Sequence, residues 1–157
     1  METRILNKKG AMLLEVIIAS SILLFIVLGV LGSYGITIRT VLSNTKILQS
    51  NFLLEEGAEV LRSMRDDSWS NITALIPGTE YSFLKTDSDW SIVETMEYVG
   101  IFERTFSIEQ VLRNGQSDIS GTGSVDLDII KATINVSWYE QNATTTKSIS
   151  LYLANIF

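Results

Sequence analysis

Glu15 is the only charged residue among the 26 positions 11–36, which read AMLLEVIIASSILLFIVLGVLGSYGI. A carboxylate inside a membrane-spanning helix costs about 2.5–3.5 kcal/mol to insert, so such a residue is expected to be functional and to have a cationic partner. The other acids with close spacing sit in polar stretches. Asp87 and Asp89 in TDSD, and Asp126 and Asp128 in VDLD, are oxygen ligands, but neither pair meets the calcium-loop pattern. They read as solvated loop acids, and no metal site is expected. GTGS at 121–124 has no phosphate-loop lysine after it and reads as a flexible loop. No P-loop, dinucleotide fingerprint, zinc spacing or nucleophile elbow is present.

The composition narrows the chemistry further. The chain has no histidine, which removes the commonest general base and metal ligand. It has no cysteine, so thiolate chemistry and a disulfide framework are also absent. A net charge of −6 argues against a phosphate-backbone partner, so no nucleic acid is expected. No enzyme activity and no cofactor are expected. Trp69, Trp90 and Trp138 read as core or interface packing rather than as a sugar-binding surface. Asn71, Asn135 and Asn142 match a glycosylation triplet that is common by chance, and Asn135 reads as an ordinary strand residue.

The elements that position these residues fall into two parts. As a helix, residues 11–36 would reach about 39 Å, enough to cross a hydrocarbon core of about 30 Å. Arg4, Lys8 and Lys9 precede the run. Basic flanks stay in the cytoplasm, which puts the N-terminus inside and the remainder outside. Beyond Thr37 the apolar residues Ile38, Val41, Leu42, Leu48, Phe52, Val60, Leu61 and Met64 recur at helical spacing. The helix is expected to continue to about Arg65, with that stripe packed in a core, although Gly57 weakens it. Glu59 with Arg62, and Arg62 with Asp66, are spaced as ion pairs on its wet side.

DDSWSN and IPGTE then mark a loop with a Pro77-Gly78 turn. Strand patterns follow. YSFLK and WSIVE flank TDSD as a hairpin, and IFERTFSIEQVLR is a longer β-rich run. KATINVSWY alternates, with Ala132, Ile134, Val136 and Trp138 on one face. KSISLYLA answers with Ile149, Leu151 and Leu153, and EQNATTT is expected to be the loop between them. One-sided alternation predicts an antiparallel sheet with one covered face, and the long helix is its cover. The fold class is therefore α+β.

A basic stretch, Gly10, an apolar residue and then glutamate five residues after the glycine, in GAMLLEVIIASSILL, resembles the cleavage and methylation signal of type IV pilins and type II secretion pseudopilins. LLEV looks like the minor-pilin version. The resemblance covers residues 4–36 and is architectural beyond them. It implies a pilin-like fold: a long N-terminal helix packed on a C-terminal antiparallel sheet. It divides the chain into a leader at 1–10, a transmembrane or filament-core helix at 11–36 and an exported domain at 37–157. It implies cleavage by a prepilin peptidase between Gly10 and Ala11, N-methylation of Ala11 and an assembly role for Glu15. Implied partners are other pilin or pseudopilin subunits, an inner-membrane assembly platform and, before assembly, membrane lipid. The implied location is the cytoplasmic membrane, crossed once with the C-terminal domain outside, and then a surface or periplasmic filament. Ala11 departs from the phenylalanine common in the family, and Gly32 stands where many type IV pilins have a helix-breaking proline. Gly29, Gly32 and Gly35 are candidates for loosening the helix instead, or for close packing of small residues.

Cleavage would leave an ammonium on Ala11, four residues and about 6 Å along the helix from Glu15. That amine, in the same chain or a neighbour, is an available partner for the carboxylate. Two readings stand against a filament subunit. One is a cleaved secretory signal, although the apolar stretch exceeds the usual 7–15 residues. The other is a membrane-anchored extracytoplasmic binding domain that does not polymerise.

Overall fold

The computed structural model describes residues 3–86, 89–140 and 142–156, with side chains from Gly10 onward. Helix α1 runs from Thr3 to Asp67, and two compact units divide the chain at Lys46/Ile47. The first unit is helical, and from Gly10 every side chain up to Leu42 is exposed. The second unit, Ile47–Phe157, holds the C-terminal part of α1 and a sheet.

Within the second unit the fold is α+β, as expected. The strands are β1 (Glu80–Lys85), β2 (Trp90–Val93), β3 (Glu97–Val99), β4 (Phe102–Arg113), β5 (Ile119–Ser120), β6 (Ser124–Glu140) and β7 (Ala143–Ala154). They form one antiparallel sheet in the order β2-β1-β4-β6-β7, with β3 and β5 also paired to β4. The period-two pattern in β6 reads out as written: Ala132, Ile134, Val136 and Trp138 are all buried. Leu153 on β7 joins them, whereas Ile149 stays exposed. The β6–β7 connection is tighter than the expected seven-residue loop, because the threonines of ATTT pair with β6. Asn142 makes this turn possible with φ 64°, a left-handed conformation that asparagine tolerates.

The helix covers the sheet over a shorter length than its apolar stripe suggests. Ser50, Leu54, Gly57, Ala58, Leu61 and Met64 are buried, at spacings that keep them on one face. Ile38, Val41, Leu42, Leu48 and Phe52 are exposed, which corrects the expectation that the whole stripe packs in the core. Gly57 lies in the contact itself. A Cβ there would sit 3.2 Å from Phe83 and 3.4 Å from Ile134, so the residue that weakens the helix locally lets it approach the sheet closely.

The helix ends at Asp67, where the side chain of Asn71 donates to the Met64 carbonyl at 3.1 Å. In place of an irregular loop a short helix, α2 (Ser70–Thr73), follows and buries Ile72 completely. Arg62 pairs with Glu59 as spaced, but Asp66 takes Arg65 rather than Arg62. The core is aromatic at its centre: Phe83 stacks on Phe106 with ring centroids 4.6 Å apart, and Trp138 meets Phe102 edge-on at 5.6 Å.

Gly57→Leu forces a branched side chain between α1 and Phe83. Unfolding of a chain beginning at Ile47, followed by circular dichroism, should show a loss of about 1–3 kcal/mol. Gly57→Ala should lose less, because its gain in helix propensity of about 1 kcal/mol offsets the crowding.

Candidate functional site

The first unit carries the chemistry that the sequence singles out. From Gly10 to Asp67 the helix reaches a mean hydropathy of 2.7 in its most apolar 18-residue window, none of it buried. It is long and apolar enough to cross a membrane. Its hydroxyls suit that setting. Ser20 and Ser21 donate to the Ile17 carbonyl at 3.0 and 2.7 Å, Thr37 to that of Ser33 and Thr40 to that of Ile36. Each hydroxyl is thus satisfied inside the helix, as hydrocarbon requires.

Glu15 shares an exposed face with Ala11, Leu14, Ile18, Ala19 and Ile22. Ala11 is one turn before it, so a cation at position 11 lies on the same side of the helix. No described residue of its own chain forms an ion pair or hydrogen bond with Glu15. Gly10 and Ala11 are both exposed, within continuous helix. The side chains of Arg4, Lys8 and Lys9 lie outside the described residues. The helix also runs unbroken through Gly29, Gly32 and Gly35, where an added Cβ would meet open space. Among the described residues nothing therefore calls for glycine at those three positions.

The described loop acids do not gather into one cluster. Asp87 lies outside the described residues, and no group of three or more metal-ligating side chains occurs among those described. Asp126 is held by the Arg113 guanidinium, and Asp128 accepts from the Asn155 side chain at 3.4 Å. The stretch RNGQSDISGTGS is ordered by its own contacts. The Asn114 side chain accepts from the backbone of Gln116 and Asp118 at 2.9 and 3.0 Å, and β5 returns to β4. Gly123 has φ 139°, and a Cβ there would lie 1.9 Å from the Arg113 carbonyl oxygen, so this position admits only glycine. The three tryptophans do not gather into a binding surface. Trp138 is core, and Trp69 and Trp90 are half-buried against it.

Sequence reasoning overlooked Arg104. Its side chain is 1% exposed, yet it sits at a position that alternation assigns to the core. Nη1 donates to Glu56 on α1 at 2.7 Å and Nη2 to Glu97 on β3 at 3.1 Å. The guanidinium also lies 5.0 Å from the Phe83 ring centroid and 5.4 Å from that of Trp90. No motif announces it; the only signal is a charge at an apolar strand position.

Comparison of the chain with protein-family models, with curated proteins and with solved structures finds no match.

Hydrogen bonding from Arg113, reinforced by the Asp128 backbone, holds the Asp126 carboxyl below its ordinary value of 3.8. A depressed carboxylate contributes stability above its unfolded value and loses it as pH falls through the folded one. The melting-temperature gap between the native chain and Asp126→Asn should thus be steady at neutral pH. It should narrow as pH drops below about 3.8.

Proposed function

We propose that the chain is a prepilin-type structural subunit, a minor pilin or pseudopilin of a type IV pilus, competence or type II secretion filament. The observation that carries this reading is Glu15: a lone carboxylate on an exposed apolar helix, one turn from Ala11, with no described partner in its own chain. The compact unit from Ile47 onward supports it, since an exported domain must hold together while the helix changes surroundings.

The mechanism is packing rather than catalysis. A prepilin peptidase cuts after Gly10 on the cytoplasmic side and frees the Ala11 amine, which is then methylated. Before assembly, lipid covers the apolar run, and Glu15 is expensive there. In a bundle of like helices a neighbour's Ala11 ammonium becomes its partner, and the apolar side chains exchange lipid for protein. The assembly platform in the inner membrane supplies the work. A membrane-anchored domain that never polymerises has no use for the carboxylate.

Two measurements test this. The intact mass of the membrane-extracted protein should correspond to a chain beginning at a methylated Ala11. A native N-terminus at Met1, or one near Gly35, would overturn the reading. Glu15→Leu should insert as well as the native chain or better, by up to about 3 kcal/mol. It should still be cut at Gly10, and it should fall sharply in co-isolation with sheared filaments or with the other subunits. Glu15→Gln should be nearly as poor, because it keeps the shape without the charge. Co-isolation of Glu15→Leu at the native level would remove Glu15 from the assembly contact.

A further inference from the structure

The sheet has two outer edges, and they are built differently. β2 closes one side with 4 residues, short enough to offer little to another strand. β7 closes the other with 12, and among the described residues only β6 pairs with it. Its register against β6 runs from Ala143 to Ala154 without a bulge, and it contains no proline. Lys147 is its only charged residue. A long, straight edge with a single lysine lacks most of the devices that keep further strands from adding to it.

The phase of the hydrogen bonds says what this edge offers. The Asn155 N–H donates to the Asp128 carbonyl at 2.8 Å, in line with the β6–β7 register. Alternation from that bond turns the backbone of Thr145, Lys147, Ile149, Leu151 and Leu153 toward β6. Thr144, Thr146, Ser148, Ser150, Tyr152 and Ala154 then turn both N–H and C=O outward. The first five of these residues are exposed. The hydroxyls of Ser148 and Ser150 point back to β6, the first donating to Asn135 at 2.7 Å and the second hydrogen-bonded to Thr133 at 2.9 Å. On the helix-covered face Ile149 lies opposite the fully buried Ile134, yet it is 38% exposed, because no strand follows β7.

We infer that the outer edge of β7 receives an extended segment of another protein, added antiparallel along residues 146–152. The positions it faces define its chemistry. Every second residue must give its backbone to β7. Apolar side chains belong beside Ile149 and Leu151, and a carboxylate beside Lys147, which is exposed and forms no ion pair with a described residue. The β7 of a second copy does not match this pattern, because the strand holds no acid to set against Lys147. The site goes beyond the assembly reading and does not rest on it, since an anchored chain that never polymerises has the same edge.

The probe is a synthetic strand, Thr-Val-Thr-Val-Thr-Glu-Thr, which places its valines beside Leu151 and Ile149 and its glutamate beside Lys147. Full-length protein in detergent micelles would be titrated with it while amide hydrogen exchange is followed. Exchange at Thr146, Ser148 and Ser150 should slow about tenfold or more at saturation, with little change at Lys147, Ile149 and Leu151, which already bond to β6. N-methylation of the two central threonines of the probe should abolish binding, whereas N-methylation of its valines, whose N–H groups point away, should not. Lys147→Glu should weaken binding about two- to fivefold, the weight of an exposed ion pair, and a probe with lysine for glutamate should restore it. Thr146→Pro removes one outward N–H and no bond to β6, so it should weaken binding about tenfold at an unchanged melting temperature. Slow exchange at Ser148 and Ser150 before the probe is added would mean that a second copy fills the edge, and would overturn the inference. So would binding that is indifferent to N-methylation of the threonines, or no slowing at saturating probe.

Discussion

From Gly10 to Leu42, α1 buries none of its side chains against the described residues of its own chain, and this constraint governs everything else in the molecule. Covering a single large aliphatic side chain is worth about 1.5–3 kcal/mol, and this helix has many. Water is therefore excluded as its surroundings, which leaves lipid or other protein. Lipid serves every residue of the run except Glu15. In the proposed subunit that one exception does the discriminating. It leaves the anchored state comfortable enough to form but less favourable than a bundle that offers an amine.

In the proposed subunit, a helix that is to change its surroundings cannot also be what stabilises the exported domain. The second unit accordingly recruits α1 only from Ile47 onward and fastens that segment in two ways. Close approach is one: Gly57 lets the backbone settle on Phe83 and Ile134. Arg104 is the other. A buried guanidinium loses its hydration, and only full pairing offsets that loss. Here Glu56 comes from the helix, Glu97 from β3, and the rings of Phe83 and Trp90 from β1 and β2. One side chain thus joins four elements distant in sequence. Both carboxylates keep some contact with water, so each is only partly desolvated.

The sheet was legible because alternation is a local signal. Ala132, Ile134, Val136 and Trp138 needed only their own order to be placed on one face, and they are buried there. The apolar run and the lone Glu15 were equally plain. The ends of elements were less so. ATTT joined β7 because a left-handed Asn142 closes the turn in fewer residues than composition suggests. Ser70–Thr73 is a helix that buries Ile72, a tertiary contact that the loop-like composition around it does not announce. Arg104 was not legible at all, since its partners lie 48 and 7 residues away and only the folded sheet brings them together.

The apolar stripe of α1 extends beyond the part that its own domain covers. Hydropathy at helical spacing reports that a side chain should leave water; it carries no information about which chain provides the cover. In the second unit the two cases are separated by the side of the helix: Ser50 is buried while Leu48 and Phe52, on either side of it in sequence, are exposed. Leu54, Leu61 and Met64 lie over strands and are buried, whereas Val41, Leu42, Leu48 and Phe52, on the same helix, are exposed. Charges then distinguish one uncovered segment from another. Residues 39–46 carry Arg39 and Lys46 and no acid, whereas residues 52–59 carry Glu55, Glu56 and Glu59 and no base. Of those acids Glu56 and Glu59 are already paired, with Arg104 and Arg62, so the segment is less acidic toward a partner than its composition suggests.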